Sequence, residues 1–258
     1  MEILKQLNYY SVCHEELNIE QIQEGIDEIK KYLELNEIEQ LLNNFTEIKF
    51  DETNIYKYVE FVDMWGLYEL KYMFSNYIVE NFVIQCKFLE QIYKFVYIQD
   101  AVRNLCKYAK SNILTDMILI YINKFVLIHE LNACNNKKIT DNGIKNLFLN
   151  ILDASSNKNI TDIGIRNLPL HTLDASNNEN ITDKGIKNLQ LHTLNATWNN
   201  KITNRGIKNM QLKRLYVICN TQITDEGIRY MELDMVYRGN DKYIRNKYKN
   251  IIKLITEL

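Results

Sequence analysis

The sequence predicts an α/β solenoid, with parallel strands on its concave face and short helices on its convex face, between an all-α N-terminal domain and a C-terminal capping helix. Three observations indicate this fold class. A 21-residue repeat fills most of the second half, apolar residues recur at helical spacing in the first half, and one more helical stripe follows the last repeat. We therefore divide the chain into residues 1–126, residues 127–236 with five repeats, and residues 237–258.

The repeat is marked by the segment Ile-Thr-Asp/Asn-x-Gly-Ile, which recurs every 21 residues from Ile139 to Ile223. Five of the eight glycines of the chain occupy one position of this unit: Gly143, Gly164, Gly185, Gly206 and Gly227. Glycine weakens a helix, so its recurrence predicts either a close approach of backbones in neighbouring repeats or an unusual backbone dihedral.

Other positions follow the same period and give the unit L-x-x-L-x-A-x-x-N-x-x-I-T-D-x-G-I-x-x-L-x. An apolar pair such as Leu152 and Ala154 is predicted to point inward from a short strand, and Thr161-Asp162 to begin the following helix. An asparagine column is predicted to satisfy the backbone where the chain turns away from the sheet. Its members are Asn136, Asn157, Asn178, Asn199 and Asn220.

This unit resembles the leucine-rich repeat, whose core is L-x-x-L-x-L-x-x-N. Its Ile-Thr-Asp-x-Gly-Ile-x-x-Leu segment is similar to the convex side of the cysteine-containing repeats of F-box substrate receptors. Those repeats are longer, and they usually carry cysteine where this unit carries asparagine. The resemblance implies a module that binds a protein partner through its concave sheet.

The N-terminal half carries helical apolar stripes, one of which begins with a capping pattern at Asn18 and ends at Leu33. Residues 4–38 resemble the C-terminal half of a BTB/POZ domain, and residues 54–82 resemble the opening of a BACK domain; the front half of a BTB domain is absent. The resemblance implies the substrate-recognition part of a ubiquitin-ligase adaptor, with a cullin as a partner. The alternative is a helical cap in a free-standing scaffold or decoy protein without ligase contact.

The outward strand positions are the candidate partner-binding surface, because a solenoid binds with its sheet. Tryptophan, arginine and tyrosine, which dominate binding energy at interfaces, gather near the fourth and fifth strands. The alternative is a row of solvated strand positions with a tryptophan packed at a turn. The candidates are Asp153, Ser155, Asp174, Ser176, Asn195, Thr197, Trp198, Arg214 and Tyr216.

No catalytic or nucleotide-binding motif occurs, so we expect neither enzymatic activity nor a cofactor. The pair His171 and His192 could hold a metal, and the pair Asp153 and Asp174 could act as acid and base, but repetition alone explains both pairs. A net charge of −2 predicts no nucleic-acid partner. The longest apolar stretch, residues 113–128, contains charged residues and is too short for a membrane span.

Localisation is predicted from the first residues and the cysteines of the chain. The first residues lack the cationic and apolar stretches of a signal peptide, and the five scattered cysteines favour a reducing compartment. We therefore expect a cytoplasmic protein. Abundant asparagine, isoleucine, lysine and tyrosine are typical of AT-rich genomes such as those of giant viruses, and a viral source would imply the host cytoplasm.

Overall fold

The computed structural model describes residues 33–64, 68–108 and 113–238. The N-terminal stripe up to residue 32, most of the BTB-like stretch, and the capping helix expected after residue 238 lie outside the described residues. The chain divides into two compact units, residues 1–105 and 106–258. Within the described ranges, no helix combines the length and the apolar character needed to cross a bilayer.

The first unit is helical, as the apolar stripes predict. Helix α2 (Ile55–Met64) buries an apolar stripe of Ile55, Val59 and Val62. Two further helices follow, α4 (Leu89–Ile92) and α5 (Val96–Tyr108), and α5 continues a few residues past the boundary between the units. The helices are α1 (Leu35–Asn44), α2 (Ile55–Met64), α3 (Tyr68–Asn81), α4 (Leu89–Ile92) and α5 (Val96–Tyr108), with 3-10 turns at Phe45–Glu47 and Val83–Gln85.

Aromatic side chains form the centre of the first unit. Phe74 is fully buried, and its ring meets the rings of Phe45 and Phe50 at centroid distances of 5.7 and 5.6 Å. Tyr77 and Phe82 extend the same cluster around Phe50. Edge-to-face contacts of this kind add to the stabilisation that burial of apolar area provides.

The second unit is a solenoid-like run of parallel strands, each followed by a short helix up to the last. Six strands form one sheet in chain order, and neighbouring strands pair residue for residue at the repeat period, as Leu152 does with Leu173. The strands are β1 (Glu130–Asn132), β2 (Ile151–Asp153), β3 (Thr172–Asp174), β4 (Thr193–Asn195), β5 (Arg214–Tyr216) and β6 (Met235–Tyr237). The helices are α6 (Asp116–Ile122), α7 (Asp141–Ile144), α8 (Asp162–Ile165), α9 (Asp183–Ile186), α10 (Asn204–Ile207) and α11 (Asp225–Ile228).

The sixth strand lies beyond the last repeat motif that the sequence reveals. Val236 pairs with Leu215 and occupies the buried leucine position, while Arg238 stands where the other repeats carry a small apolar residue. Both side chains are buried. The strand therefore continues the sheet although its sequence departs from the repeat.

The core of each repeat consists of the apolar residues that the period selects. The second repeat buries its strand leucine and alanine, the isoleucine of its turn, and the isoleucine and leucine of its helical segment: Leu152, Ala154, Ile160, Ile165 and Leu168. The first and third residues of each strand consequently lie on the opposite face. We call this surface the open sheet face.

Candidate functional site

The nine candidate residues lie along the open sheet face and the turns that follow its strands. Asp153, Asp174, Asn195 and Tyr216 are the third residues of successive strands, and they are in register with one another. Most of the nine are half-buried, whereas Trp198 and Arg214 are exposed. The parallel pairing thus brings the predicted columns together as rows of neighbouring side chains.

The acidic members of this row also hold the turns after their strands. Asp153 Oδ1 accepts hydrogen bonds from the backbone nitrogen of Ser155 at 2.9 Å and from its hydroxyl at 2.6 Å. Asp174 holds Ser176 with the same two distances, and Asn195 Oδ1 accepts from the nitrogen of Thr197. Such contacts, two residues apart, stabilise turns locally. The serine hydroxyls are therefore engaged within the protein.

Two carboxylates, Asp153 on β2 and Asp174 on β3, lie side by side toward the β1 end of the open sheet face. Asn195 Nδ2 donates to Asp174 Oδ2 at 2.7 Å, while both hydrogen bonds to Asp153 go to its Oδ1. Burial raises the pKa of Asp153, and the charge of Asp174 raises it further, against the lowering effect of the hydrogen bonds from Ser155. Within the described part of the chain, no lysine or arginine forms an ion pair with either carboxylate.

The other end of the face is aromatic and cationic. The rings of Tyr216 and Tyr237 lie on adjacent strands with centroids 6.2 Å apart, and exposed Arg214 begins the same strand as Tyr216. The sequence pattern does not identify Tyr237 as a site residue, because the sixth strand lacks the repeat motif. Its position 21 residues after Tyr216 was the available signal.

Trp198 is exposed and has a left-handed backbone. Its φ is 57°, and 60% of its surface is exposed rather than packed at the turn. The equivalent residues of the other repeats are also left-handed, but they are small or of a type that tolerates this region: Asn135, Ser156, Asn177 and Cys219. Trp198 is the largest side chain at this repeat position.

The asparagine column links each repeat to the one before it. Asn178 is fully buried, and its Nδ2 donates to the carbonyls of Ala154 and Ile160 at 3.1 Å and to that of Asn157. Its Oδ1 accepts from the backbone nitrogen of Asn180 at 3.2 Å. One amide thus satisfies several buried backbone groups of two repeats.

A second polar column runs along the helix side of the repeats. Asp162 of α8 accepts from the backbone nitrogen and the hydroxyl of Thr182 in the next repeat, both at 2.7 Å, and Thr182 in turn accepts from Lys184 at the start of α9. The sequence assigned these Thr-Asp pairs to helix capping alone. Asp141, Asp162 and Asp183 also join their repeats to the next, and we call this column of contacts the Thr–Asp ladder.

The Thr–Asp ladder explains the repeated glycine. A Cβ atom at Gly185 would lie 2.9 Å from Cα of Asp162 and closer still to its Oδ1. None of the five glycines has a left-handed φ. Close approach between neighbouring repeats, and not an unusual dihedral, therefore requires the glycine.

The Thr–Asp ladder begins at α6, and we call each contact between an aspartate and the threonine of the next repeat a rung. Asp116 accepts from the nitrogen and hydroxyl of Thr140 at 2.8 and 2.6 Å, and the carbonyl of Leu114 accepts from Asn136 Nδ2 at 3.0 Å. The domain boundary predicted at residue 126 assigns Leu114 and Asp116 to the N-terminal domain, whereas both fall within the second compact unit. The Thr115-Asp116 pair was a signal, but it precedes Thr140-Asp141 by 25 residues rather than 21.

The histidine pair and the groove on the helix side do not indicate a catalytic or metal-binding site. The rings of His171 and His192 stack face to face at 5.3 Å, as their repetition predicts. Over the described ranges, no three or more histidine, cysteine or acidic side chains are grouped to hold a metal ion. An open groove of about 1020 Å³ lies on the helix side between the last two repeats, lined by residues that include Arg205, Glu226 and the 88% exposed Tyr230.

Comparison with known proteins identifies no family. No protein-family model matches the chain, and no curated protein matches it. Among solved structures, the chain is similar to one in the crystal structure of the Rad7 and Elc1 complex in yeast, with 15% identity and a TM-score of 0.32. The match covers 47% of this chain and 44% of that chain. A likeness this weak carries no conclusion about function.

Proposed function

We propose that the second unit is a leucine-rich-repeat module and that it binds a protein partner through the open sheet face, its concave side. The 21-residue unit, with strand, turn and short helix in that order, supports the repeat assignment. Solenoids of this kind use a continuous sheet as an extended binding surface. The proposal includes neither catalysis nor a cofactor.

Trp198 is the observation that carries this proposal. A left-handed backbone costs an L-residue roughly 1–2 kcal/mol, and this repeat position holds its largest side chain, a tryptophan that is 60% exposed, in that conformation. All five repeats share this backbone conformation, so the exposed tryptophan side chain, rather than the strain, distinguishes this position. Tryptophan is also the residue type most enriched among those that dominate interface energy.

The neighbours of Trp198 extend the same surface. Its backbone nitrogen donates to the carbonyl of Ile218 at 2.9 Å, two residues after Tyr216 on the adjacent repeat. Tyr216, Tyr237 and Arg214 add aromatic area and a cation on strands that are about 4.8 Å apart. Aromatic and arginine side chains grouped in this way favour recognition of a polypeptide.

A peptide-display selection on the full chain tests the proposal. Peptides selected on the wild-type protein should lose affinity by about 30-fold, or about 2 kcal/mol, with Trp198→Ala or Tyr216→Ala. Tyr230→Ala is the matched control, because it removes an exposed aromatic ring from the helix side of the same end. The proposal would be refuted if the selected peptides bound the Trp198→Ala and Tyr216→Ala variants with unchanged affinity but bound Tyr230→Ala more weakly. That result would place binding in the groove on the helix side.

The resemblance of residues 54–82 to a BACK domain favours an adaptor role for the whole chain over a free-standing scaffold or decoy. An adaptor would bind a cullin through its first unit while the second unit binds the substrate. Titration against a cullin N-terminal domain separates the two roles. Micromolar or tighter binding that persists with Trp198→Ala supports the adaptor, and no binding at high micromolar concentration leaves the scaffold.

A further inference from the structure

We propose that the polypeptide bound on the open sheet face places a lysine or arginine over Asp153 and Asp174 and an aromatic or aliphatic side chain against Tyr216 and Tyr237. This inference rests on the proposed function and names the chemistry of the partner. It follows from the unequal distribution of charge along one row of the sheet.

The row is continuous from the second strand to the sixth. Register pairs Asp153 with Asp174, Asp174 with Asn195, Asn195 with Tyr216 and Tyr216 with Tyr237. Strands lie about 4.8 Å apart, so three strand spacings, or about 14 Å, separate the centre of the carboxylate pair from the centre of the tyrosine pair. An extended chain covers this distance in about four residues.

The carboxylate end requires a cation that the described part of the chain does not supply. Asp153 and Asp174 are half-buried and adjacent, and the hydrogen bonds that they accept come from neutral donors. Partial burial of two like charges is unfavourable, which agrees with the raised pKa of Asp153. A partner's ammonium or guanidinium group would compensate both charges and give strong, charge-assisted hydrogen bonds.

The aromatic end determines the direction of the bound segment. Exposed Arg214 lies on the same strand as Tyr216 and disfavours a second cation there. The two tyrosine rings and Trp198 offer apolar surface instead. The preferred segment therefore has its cation about four residues from its apolar anchor, with the cation at the end of the face that carries β2 and β3.

A biased peptide library tests this inference on the full chain. Each peptide carries one lysine and one tryptophan, two to six residues apart in either order, in a background of glycine, serine and threonine. We expect enrichment of peptides with a spacing of about four. Replacement of the lysine by glutamate should reduce affinity at least 10-fold.

The double variant Asp153→Asn/Asp174→Asn is the decisive reagent. Asparagine keeps the oxygen that accepts from the turn, as Asn132 and Asn195 show, so the variant should fold while it loses both charges. Affinity for the lysine peptide should fall at least 10-fold, and the salt dependence of binding should flatten. Thermal unfolding of the variant verifies that it is folded.

The outcomes separate this inference from the proposed function. Peptides that require Trp198 and Tyr216 but bind equally with lysine or glutamate overturn the inference and leave the proposed function intact. A lysine preference that survives in the double variant also overturns it. If no peptide is enriched in a way that depends on Trp198 or Tyr216, both the inference and the proposed function are overturned.

Discussion

The two units of this chain are stabilised by different kinds of contact. Among the described residues, the first unit buries one polar side chain, Ser75, and is centred on aromatic rings that meet edge to face. The second unit buries the asparagine column and adds the Thr–Asp ladder beside it. Apolar packing tolerates changes that conserve volume, whereas hydrogen-bond columns require particular atoms at particular positions. The units should therefore differ in which substitutions they tolerate.

The largest effect is expected in the first unit. Phe74→Ala removes a fully buried ring from the aromatic cluster, and such truncations cost about 3–5 kcal/mol. Phe74→Leu keeps most of the volume and should cost much less. Amide exchange in α2 and α3 should accelerate with the alanine variant, and unchanged exchange there would contradict the central role of Phe74.

A polar substitution in the second unit should approach the same size. Asn178→Ala removes the buried donor to the carbonyls of Ala154 and Ile160 in the preceding repeat, at about 1–3 kcal/mol for each group left unsatisfied, so we expect a loss of about 2–4 kcal/mol. Asn180→Ala is the matched control, because it also removes an amide that donates to the preceding repeat, at Lys158, but at an exposed site. Urea unfolding measures both. If both variants lost the same free energy of unfolding, burial of the asparagine column would not increase its contribution to stability.

The third prediction concerns the repeated glycine, where replacement by alanine should change the free energy of unfolding in the direction opposite to that usual in a helix. Gly-to-Ala in a helix ordinarily stabilises by roughly 0.5–1 kcal/mol. Gly185→Ala should instead destabilise by about 1–3 kcal/mol, because its Cβ would overlap Asp162 across the repeat boundary. The double variant Gly185→Ala/Asp162→Ala should recover little, since the Asp162 backbone is itself 2.9 Å away. A stabilised single variant in urea unfolding would refute close approach.

The smallest effect is a gain at the one imperfect rung of the Thr–Asp ladder. Asn204 occupies the aspartate position, and its Nδ2 donates to Thr224 Oγ1, which makes no side-chain cap to its own helix. Asn204→Asp lets the threonine donate to the carboxylate and accept from the helix, as Thr182 does. We expect about 0.5–1 kcal/mol of added stability. Asn142→Asp, which adds the same charge to the first turn of another helix, should give less.

Periodicity determines how much of this structure the sequence could predict. Strands, helices and inward columns recur at one spacing, so their order and the rows of the open sheet face follow from the repeat. The sixth strand was missed because Arg238, although it keeps the spacing, replaces the small apolar residue of the repeat. The first contact of the ladder was missed because Asp116 precedes Asp141 by 25 residues rather than 21. The contacts of the aspartates with the next repeat could not be predicted, because they depend on how neighbouring repeats stack. The sequence pattern of a single repeat does not contain that information.

The first unit shows the opposite case. Its stripes predicted helices, but the meeting of Phe50 with Phe74 and Tyr77 depends on turns that carry no repeated signal. At the candidate site, alternation along the strands predicted which residues share a face. The use of Asp153 and Asp174 to hold their own turns was missed because that contact depends on local backbone conformation.

The Thr–Asp ladder also bears on how such a chain can change in length. Each rung joins a repeat to its immediate neighbour, as Asp162 joins Thr182 and Asp183 joins Thr203. Duplication or deletion of one whole unit would therefore leave every other rung with an equivalent partner. Each added unit would lengthen the open sheet face by about 4.8 Å, little more than one residue of an extended ligand. Gene-level gain or loss of 63 base pairs, three for each of the 21 residues of a unit, would thus change the length of the open sheet face in steps of one strand spacing.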